Sequence, residues 1–531
     1  MYDVVIVNGL IYDGSGTNPY VADIAVSNGV IVSIGKIEGE SLNTIDASGL
    51  SVSPGFIDLH THSDLSFLID PLADSKLRQG CTFELIGNCG RSDGGPLMGE
   101  AFDLTSERLE TLGFTPNFSL TGNYGEYLDL LQQRGTLINI AGQIGHGTLR
   151  TSVIGSGDIN PSLEELDTMT SLLAECLDQG AMGFSTGLYY APGNYSRTEE
   201  IIKLCNITAD KNKIYSTHMR DESDYSIGLR GAIEETMSIA QISGVRTQIS
   251  HLKCIGPVTW GHANELLSRI DEMRRDGYDV IADQYPYTGS STMLAGAIFP
   301  RWVQAGGRRE ALNRIDDSVL YDRLKNDISR NFYRRGGAGS ITIAQCPDNR
   351  EFDGLNLEEI SDVMQCEPED AAINLFRGGT VHVIAHSLKQ DDVDKIACHP
   401  SVCVGSDGSS IRTEGPLSVG SPHPRSYGTF PRFIKQYVID KKMLTMQEAI
   451  RKMTSLPASR LSLSKRGTLS VNNWADIVVF DPQTIEDKST FNNPHQYAEG
   501  IKYVLVNGHL ALQENVLIED HHGKIVRNIN D

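Results

Sequence analysis

The chain has no run of about 18 consecutive apolar residues, so no membrane span is expected. The opening Met-Tyr-Asp-Val-Val-Ile-Val-Asn-Gly lacks a basic stretch and a long apolar core, so no signal peptide is expected either. Basic residues are in deficit: 46 Lys and Arg face 68 Asp and Glu, a formal net charge of −22. That deficit argues against nucleic acid and anionic membrane surfaces as partners. It does not exclude a small anionic substrate, because charge within a cleft can oppose the global sign. Cysteine is scattered and odd in number, at nine. Reduced, mostly buried thiols in a cytoplasmic protein are the expectation.

What is present suits an ordinary globular protein. Hydrophobic residues make up 40% and charged residues 21% of 531 positions, enough for more than one domain. Residues 1–50 alternate apolar stretches with Asn-Gly turns, the strongest short-range hairpin signal. The same pattern returns in Ala-Asp-Ile-Val-Val-Phe-Asp at 475–481 and Val-Leu-Val-Asn-Gly at 504–508. Neither end can build a good sheet core alone. One small β-sandwich domain is therefore expected from residues 1–54 plus 465–531.

Between them, short β-branched runs alternate with helical stretches such as 161–179, 228–242 and 262–276, which implies parallel β/α units. Candidate strands fall near 56–62, 82–87, 137–145, 181–185, 213–218, 246–251, 278–283, 380–386 and 401–407. A (β/α)8 barrel of the TIM type, spanning 55–464, needs one strand fewer. Either 278–283 or 380–386 lies outside the barrel. The stretch 288–345 mixes Gly, Arg and aromatics without the β/α period. It reads as an insertion, and its place after a strand suggests an active-site lid.

Metal-type residues recur at the ends of these strands. His60 and His62 end the first, Cys89 follows the second, His218 ends the fifth, His251 the sixth and Asp407 the last. In a parallel barrel all strand C-termini open on one face, so these six side chains can converge. Residues i and i+2 of a strand share a face, which lets His60 and His62 chelate one ion. Imidazole, thiolate and carboxylate are the usual zinc ligands. Zinc acidifies water and polarises a carbonyl, while a neighbouring carboxylate can move a proton to a leaving nitrogen. That combination describes amide hydrolysis. Singly, each residue is as well explained by structure; jointly they call for a metal. His386 and His423 are borderline, and the other histidines need no ligand role.

Several motifs now carry a resemblance. Pro-Gly-Phe-Ile-Asp-Leu-His-Thr-His at 54–62 resembles the entry motif of the amidohydrolase superfamily. Gly-Asn-Cys-Gly at 87–90, Thr-His-Met-Arg-Asp-Glu at 217–222, Ser-His-Leu-Lys at 250–253, Tyr-Pro-Tyr-Thr-Gly-Ser-Ser at 285–291, Gly-Ser-Asp-Gly at 405–408 and His-Pro-Arg-Ser-Tyr-Gly-Thr-Phe-Pro-Arg at 423–432 are similar to N-acyl-D-amino-acid deacylases, the D-aminoacylases. The resemblance runs from about residue 3 to 510, with the motifs in order.

It implies a tight zinc on Cys89, His218 and His251, with a second, weaker site framed by His60, His62 and Asp407. Asp407 would be the general base and then the acid. Lys253, Tyr285, Ser291 and Arg425 would bind the carboxylate of a small N-acyl-D-amino acid, a task suited to cations and hydroxyls. A cyclic-amide hydrolase of the dihydropyrimidinase or hydantoinase type, or a D-dipeptidase, would use the same site. A non-catalytic scaffold would have lost ligands, and all six are present. The family usually follows Gly-Asn-Cys-Gly with a small residue and then Ala-Pro. Here Arg91-Ser92-Asp93-Gly94-Gly95-Pro96 stands instead, and Glu84 replaces an apolar strand residue.

Overall fold

A computed structural model gives the fold; it describes residues 1–114 and 120–528. Eight parallel strands run in the order Phe56–Asp58, Cys81–Ile86, Asn139–Gly145, Gly183–Gly187, Ile214–His218, Arg246–Ile249, Val280–Gln284 and Val402–Val404. The ring is joined beyond the last strand: Asp407 N donates to His60 O and His62 N to Gly408 O, both at 2.8 Å. Helices return the chain between strands, and their ends follow local chemistry. Ser162 and Glu165 form a capping box ahead of Leu163–Asp178. Gly244, in the left-handed region, ends Gly228–Ser243. Ala263–Arg275 is the third of the expected helices.

The surplus strand is the 380–386 run. His382–Ala385 pairs antiparallel with Ser290–Met293 and with Ile341–Gln345, in a separate three-stranded sheet. Its β-branched pattern matches that of a barrel strand, but its partners come from the excursion that leaves the barrel after Val280–Gln284. The excursion therefore runs on past 345 to Ala385, and contains six helices and an apolar core around Phe299, Ile328, Ile343 and Phe376.

Both termini build one nine-stranded sheet. Tyr2–Ile11 is its branch point, since its first half pairs with Ser41–Asp46 and its end with Ser51–Pro54. Ser51–Pro54 then pairs with Ile477–Phe480 from the other terminus. The branching wraps the sheet around Val4, Ile6, Ile24, Val52, Ile477, Val479 and Leu505, the core of the β-sandwich. Among the described residues, no helix is long and apolar enough to cross a membrane.

A buried ion pair ties the first barrel strand to the loop of the last. Lys76 Nζ donates to Asp58 Oδ2 at 2.8 Å and to Ser406 Oγ, with Lys76 and Asp58 both fully buried. Asp58 Oδ1 accepts from His60 N at 3.2 Å and from Ser406 N at 2.9 Å. Glu84 belongs to the same polar layer and takes the hydroxyl of Ser410. Burial pushes its carboxyl up, and the Lys76 charge works against that. Removing one partner of such a pair strands a buried charge. Lys76→Met is expected to destabilise the fold by about 3 kcal/mol or more, read from the denaturant midpoint.

Candidate active site

Cys89 sits in a loop that few sequences can form. Gly87 and Gly90 on either side adopt φ of +76° and +77°. A Cβ on Gly87 would lie 2.1 Å from Gln143 O, and one on Gly90 2.5 Å from Gly187 N. Asn88 between them donates to Leu59 O, Thr61 O and Leu85 O, and accepts from Gln143 Nε2 at 3.0 Å. The Gly-Asn-Cys-Gly motif is thus a clamp that fixes one thiol over the mouth of the barrel. Cys89, His251 and Asp407 themselves lie at φ of +52°, +35° and +53°. Left-handed backbone at non-glycine residues costs about 1–3 kcal/mol each and persists where the surroundings enforce it.

The six expected ligands converge. Donor atoms of His60, His62, Cys89 and Asp407 lie within 4.8 Å of one another, and so do those of Cys89, His218 and His251. Cys89 belongs to both groups. Its Sγ lies 3.2 Å from His60 Nε2 and 3.4 Å from His251 Nε2. Asp407 Oδ1 lies 3.0 Å from His62 Nε2 and 3.4 Å from His60 Nε2. Burial alone would raise the Cys89 thiol; His60, His251 and His218 overcome it and hold the thiol well below its usual range. Asp407 is likewise held low against burial, by Arg425, His251, His62 and His60.

Two buried carboxylates orient the imidazoles. Glu222 Oε2 lies 3.1 Å from His218 Nε2, and its Oε1 lies 3.3 Å from His251 Nδ1. Asp283 Oδ1 takes His60 Nδ1 at 3.0 Å and His251 N at 2.8 Å, and its Oδ2 takes Gln248 Nε2 at 2.8 Å. His60 and His251 each turn one nitrogen to a carboxylate and the other to Cys89, while His218 turns Nε2 to Glu222. Both ring nitrogens of His218 are buried without a hydrogen bond. Imidazoles backed by carboxylates, together with a thiolate, suit a zinc ion, so the residues present fit the group. Sequence reasoning singled out neither Glu222 nor Asp283. Glu222 stands four residues after His218, and Asp283 is a lone acid in an apolar strand.

The proposed carboxylate-binding residues are brought together only in part. Arg425 lies 5.0 Å over the Tyr285 ring, and its Nη2 donates to Ser291 O at 3.4 Å. Its Nη1 pairs with Asp407 Oδ2 at 2.7 Å. Lys253 is engaged elsewhere, donating to Glu222 Oε1 at 2.7 Å and His251 Nδ1 at 2.6 Å. His423 lies outside both donor groups. Its Nδ1 accepts from Arg425 N and its Nε2 donates to Gly289 O, each at 3.0 Å, which places Arg425. His386 packs edge-on to Phe491.

The amidohydrolase family model matches residues 43–209 and 382–511. The chain belongs to that family, in its N-acyl-D-amino-acid deacylase branch. The N-acyl-D-glutamate deacylase of Alcaligenes xylosoxydans xylosoxydans is 34% identical over 508 residues, covering 95% of this chain and 93% of its own. The crystal structure of N-acyl-D-glutamate deacylase from Bordetella bronchiseptica, with zinc and a phosphonate mimic of the tetrahedral intermediate, is 32% identical. It superposes with a TM-score of 0.84 and 99% coverage of both chains. A D-aminoacylase structure, described by one-metal activation and second-metal attenuation of a binuclear centre, is 30% identical. Its TM-score is 0.81, again with 99% coverage of both chains.

If Glu222 orients two ligands of this amidohydrolase, Glu222→Gln weakens zinc binding by about 10- to 100-fold in a chelator competition assay. Unchanged affinity contradicts that role.

Proposed function

We propose that this chain is a zinc-dependent hydrolase that removes the N-acyl group from N-acyl-D-amino acids, releasing a carboxylate and a D-amino acid. One observation carries the reading: two donor groups share Cys89, with Asp407 in one of them and Arg425 against Asp407. Cys89, His218 and His251 would hold the tight zinc, and His60, His62 and Asp407 would frame a weaker second position. Bound zinc supplies a Lewis acid for the amide carbonyl and acidifies water.

The chain's own groups do the rest. Asp407, at the mouth of the barrel and only 7% exposed, takes the proton of the attacking water and returns it to the departing amine. Arg425 and Tyr285 hold the substrate α-carboxylate, with Ser291 beside them. Arg425 starts in an ion pair with Asp407, so an incoming carboxylate competes for its guanidinium. Lys253 acts at one remove, through Glu222 and His251. Fixing the α-carboxylate on this side, with the scissile amide presented to Asp407, would select one hand at Cα. The excursion from Ser290 to Ala385 places Ser291 at this mouth and serves as its lid. All nine cysteines are unpaired, which supports a reducing, cytoplasmic setting.

Asp407→Asn is expected to keep zinc in the Cys89 group and lose about 10²- to 10⁴-fold in kcat. A fully active variant contradicts the mechanism. A panel of N-acetyl-D- and L-amino acids, with hydantoin alongside, is expected to show turnover of D-substrates alone.

A further inference from the structure

The stretch Arg91-Ser92-Asp93-Gly94-Gly95, which follows Gly-Asn-Cys-Gly, is built into the barrel mouth rather than left on the surface. Ser92 Oγ donates to Gly95 O at 2.7 Å and accepts from Gly145 N at 3.0 Å. Ser92 N donates to Thr148 Oγ1 at 3.0 Å, and Thr148 N donates to Gly90 O at 3.2 Å. A Cβ on Gly94 would lie 2.1 Å from the Tyr127 ring, so a larger residue there would have to displace an aromatic side chain. The loop that carries Cys89 thus runs on into a packed, buried turn.

One carboxylate closes this loop at both ends. Asp64 Oδ2 accepts from Gly87 N at 3.2 Å, and its Oδ1 accepts from Asp93 N at 3.3 Å. Asp64 is buried and stands two residues after His62. It therefore joins the segment carrying one expected ligand to the loop carrying another. Tyr127 OH donates to Asp64 O at 2.8 Å and fixes that segment from behind.

The closure also brings two acids together. Asp93 is 1% exposed, and its charge bears on the Asp64 carboxyl. Like charges at a buried site disfavour each other. Arginine meets that repulsion. Arg108 Nη2 pairs with Asp93 Oδ1 at 2.9 Å, whereas Arg91 Nε reaches Oδ2 only at 3.4 Å, from a side chain that is 38% exposed. Burial alone would raise the Asp93 carboxyl; Arg108, then Arg91, outweigh it and hold it below its usual range. Arg108 comes from the last turn of the helix Glu100–Thr111, outside the ring of barrel strands. That helix is itself fixed: Glu100 Oε2 accepts from Ser156 N at 2.9 Å, and Leu109 is buried in the apolar core.

We propose that Arg108 is a positioning residue for the metal centre. By neutralising Asp93 it lets Asp64 grip the Cys89 loop at both ends, and so sets zinc affinity from outside both donor groups. The inference rests on Cys89 as a zinc ligand. Without Arg108 the buried Asp93 carboxylate faces Asp64 with only a distant partner, and a buried charge that has lost its partner is costly. The backbone bond from Asp93 N to Asp64 weakens, and the sulfur loses the fixed position that a shared donor needs.

The test measures zinc affinity of the full chain by chelator competition, with the denaturant midpoint of each metal-free protein alongside. Arg108→Met is expected to weaken zinc binding by about 10-fold, as loss of a supporting partner does at metal sites. Arg108→Lys keeps most of the affinity. Asp93→Asn keeps its backbone N–H for Asp64 and removes the repelling charge, so it binds zinc nearly as the wild type does. Adding Arg108→Met to Asp93→Asn then costs little more, the coupling expected of residues that act as a pair. Wild-type affinity in Arg108→Met, with only the midpoint lowered, makes Arg108 a structural strut and overturns the proposal. So does a loss of affinity in Arg108→Met that Asp93→Asn does not relieve. Should Arg108→Met fail to fold, Arg108→Gln takes its place in the same comparisons. A wild type whose zinc X-ray absorption shows no sulfur ligand defeats the reading of the site itself. A wild type that binds zinc through sulfur, beside an Arg108→Met that binds it equally well, defeats this proposal alone.

Discussion

The Cys89 sulfur is the constraint on which the rest of the site depends. It is the atom shared by two groups of metal donors. A single thiol can serve both only if its position is fixed to a fraction of an ångström. The chain meets that demand with backbone rather than side-chain freedom: two glycines in the left-handed region, and an asparagine that grips three carbonyls of the first two strands. The imidazoles around the thiol then favour its thiolate, the form that binds metal. Strained backbone at His251 and Asp407 fits the same picture, in which packing holds ligands in place that the chain alone would not.

Around that sulfur, charge is arranged in pairs. Glu222 serves His218, His251 and Lys253; Asp283 serves His60 and the His251 backbone; Arg425 serves Asp407. Each of these buried ions has a counter-ion, as burial requires. Beneath them, Lys76 with Asp58 ties the first strand to the loop carrying Asp407, so the barrel seam and the Asp407 carboxylate share one network.

Much of this was legible in the sequence, and the parts that were not have physical reasons. Strands ending in His, Cys or Asp announce themselves because apolar runs and polar ends follow directly from a barrel that opens at one face. The runs 278–283 and 380–386 look alike because both are buried β-branched segments; what separates them is their partners, which local pattern does not encode. Glu222 and Asp283 escaped notice because a carboxylate behind a histidine is defined by convergence across the barrel, not by spacing. The role of Lys253 at the substrate carboxylate was legible only through the family resemblance, and its ion pair with Glu222 is a convergence across strands that spacing does not encode. Glu84 broke the apolar rule for its strand because Ser410 and Lys76, both distant in sequence or out of phase with it, offer polar company.

The central claim is that Cys89 binds the zinc as a thiolate. Zinc K-edge X-ray absorption on protein loaded with one equivalent of zinc tests it most directly. The account predicts one sulfur scatterer at about 2.3 Å beside nitrogen scatterers at about 2.0–2.1 Å. A first shell of nitrogen and oxygen without sulfur would contradict it.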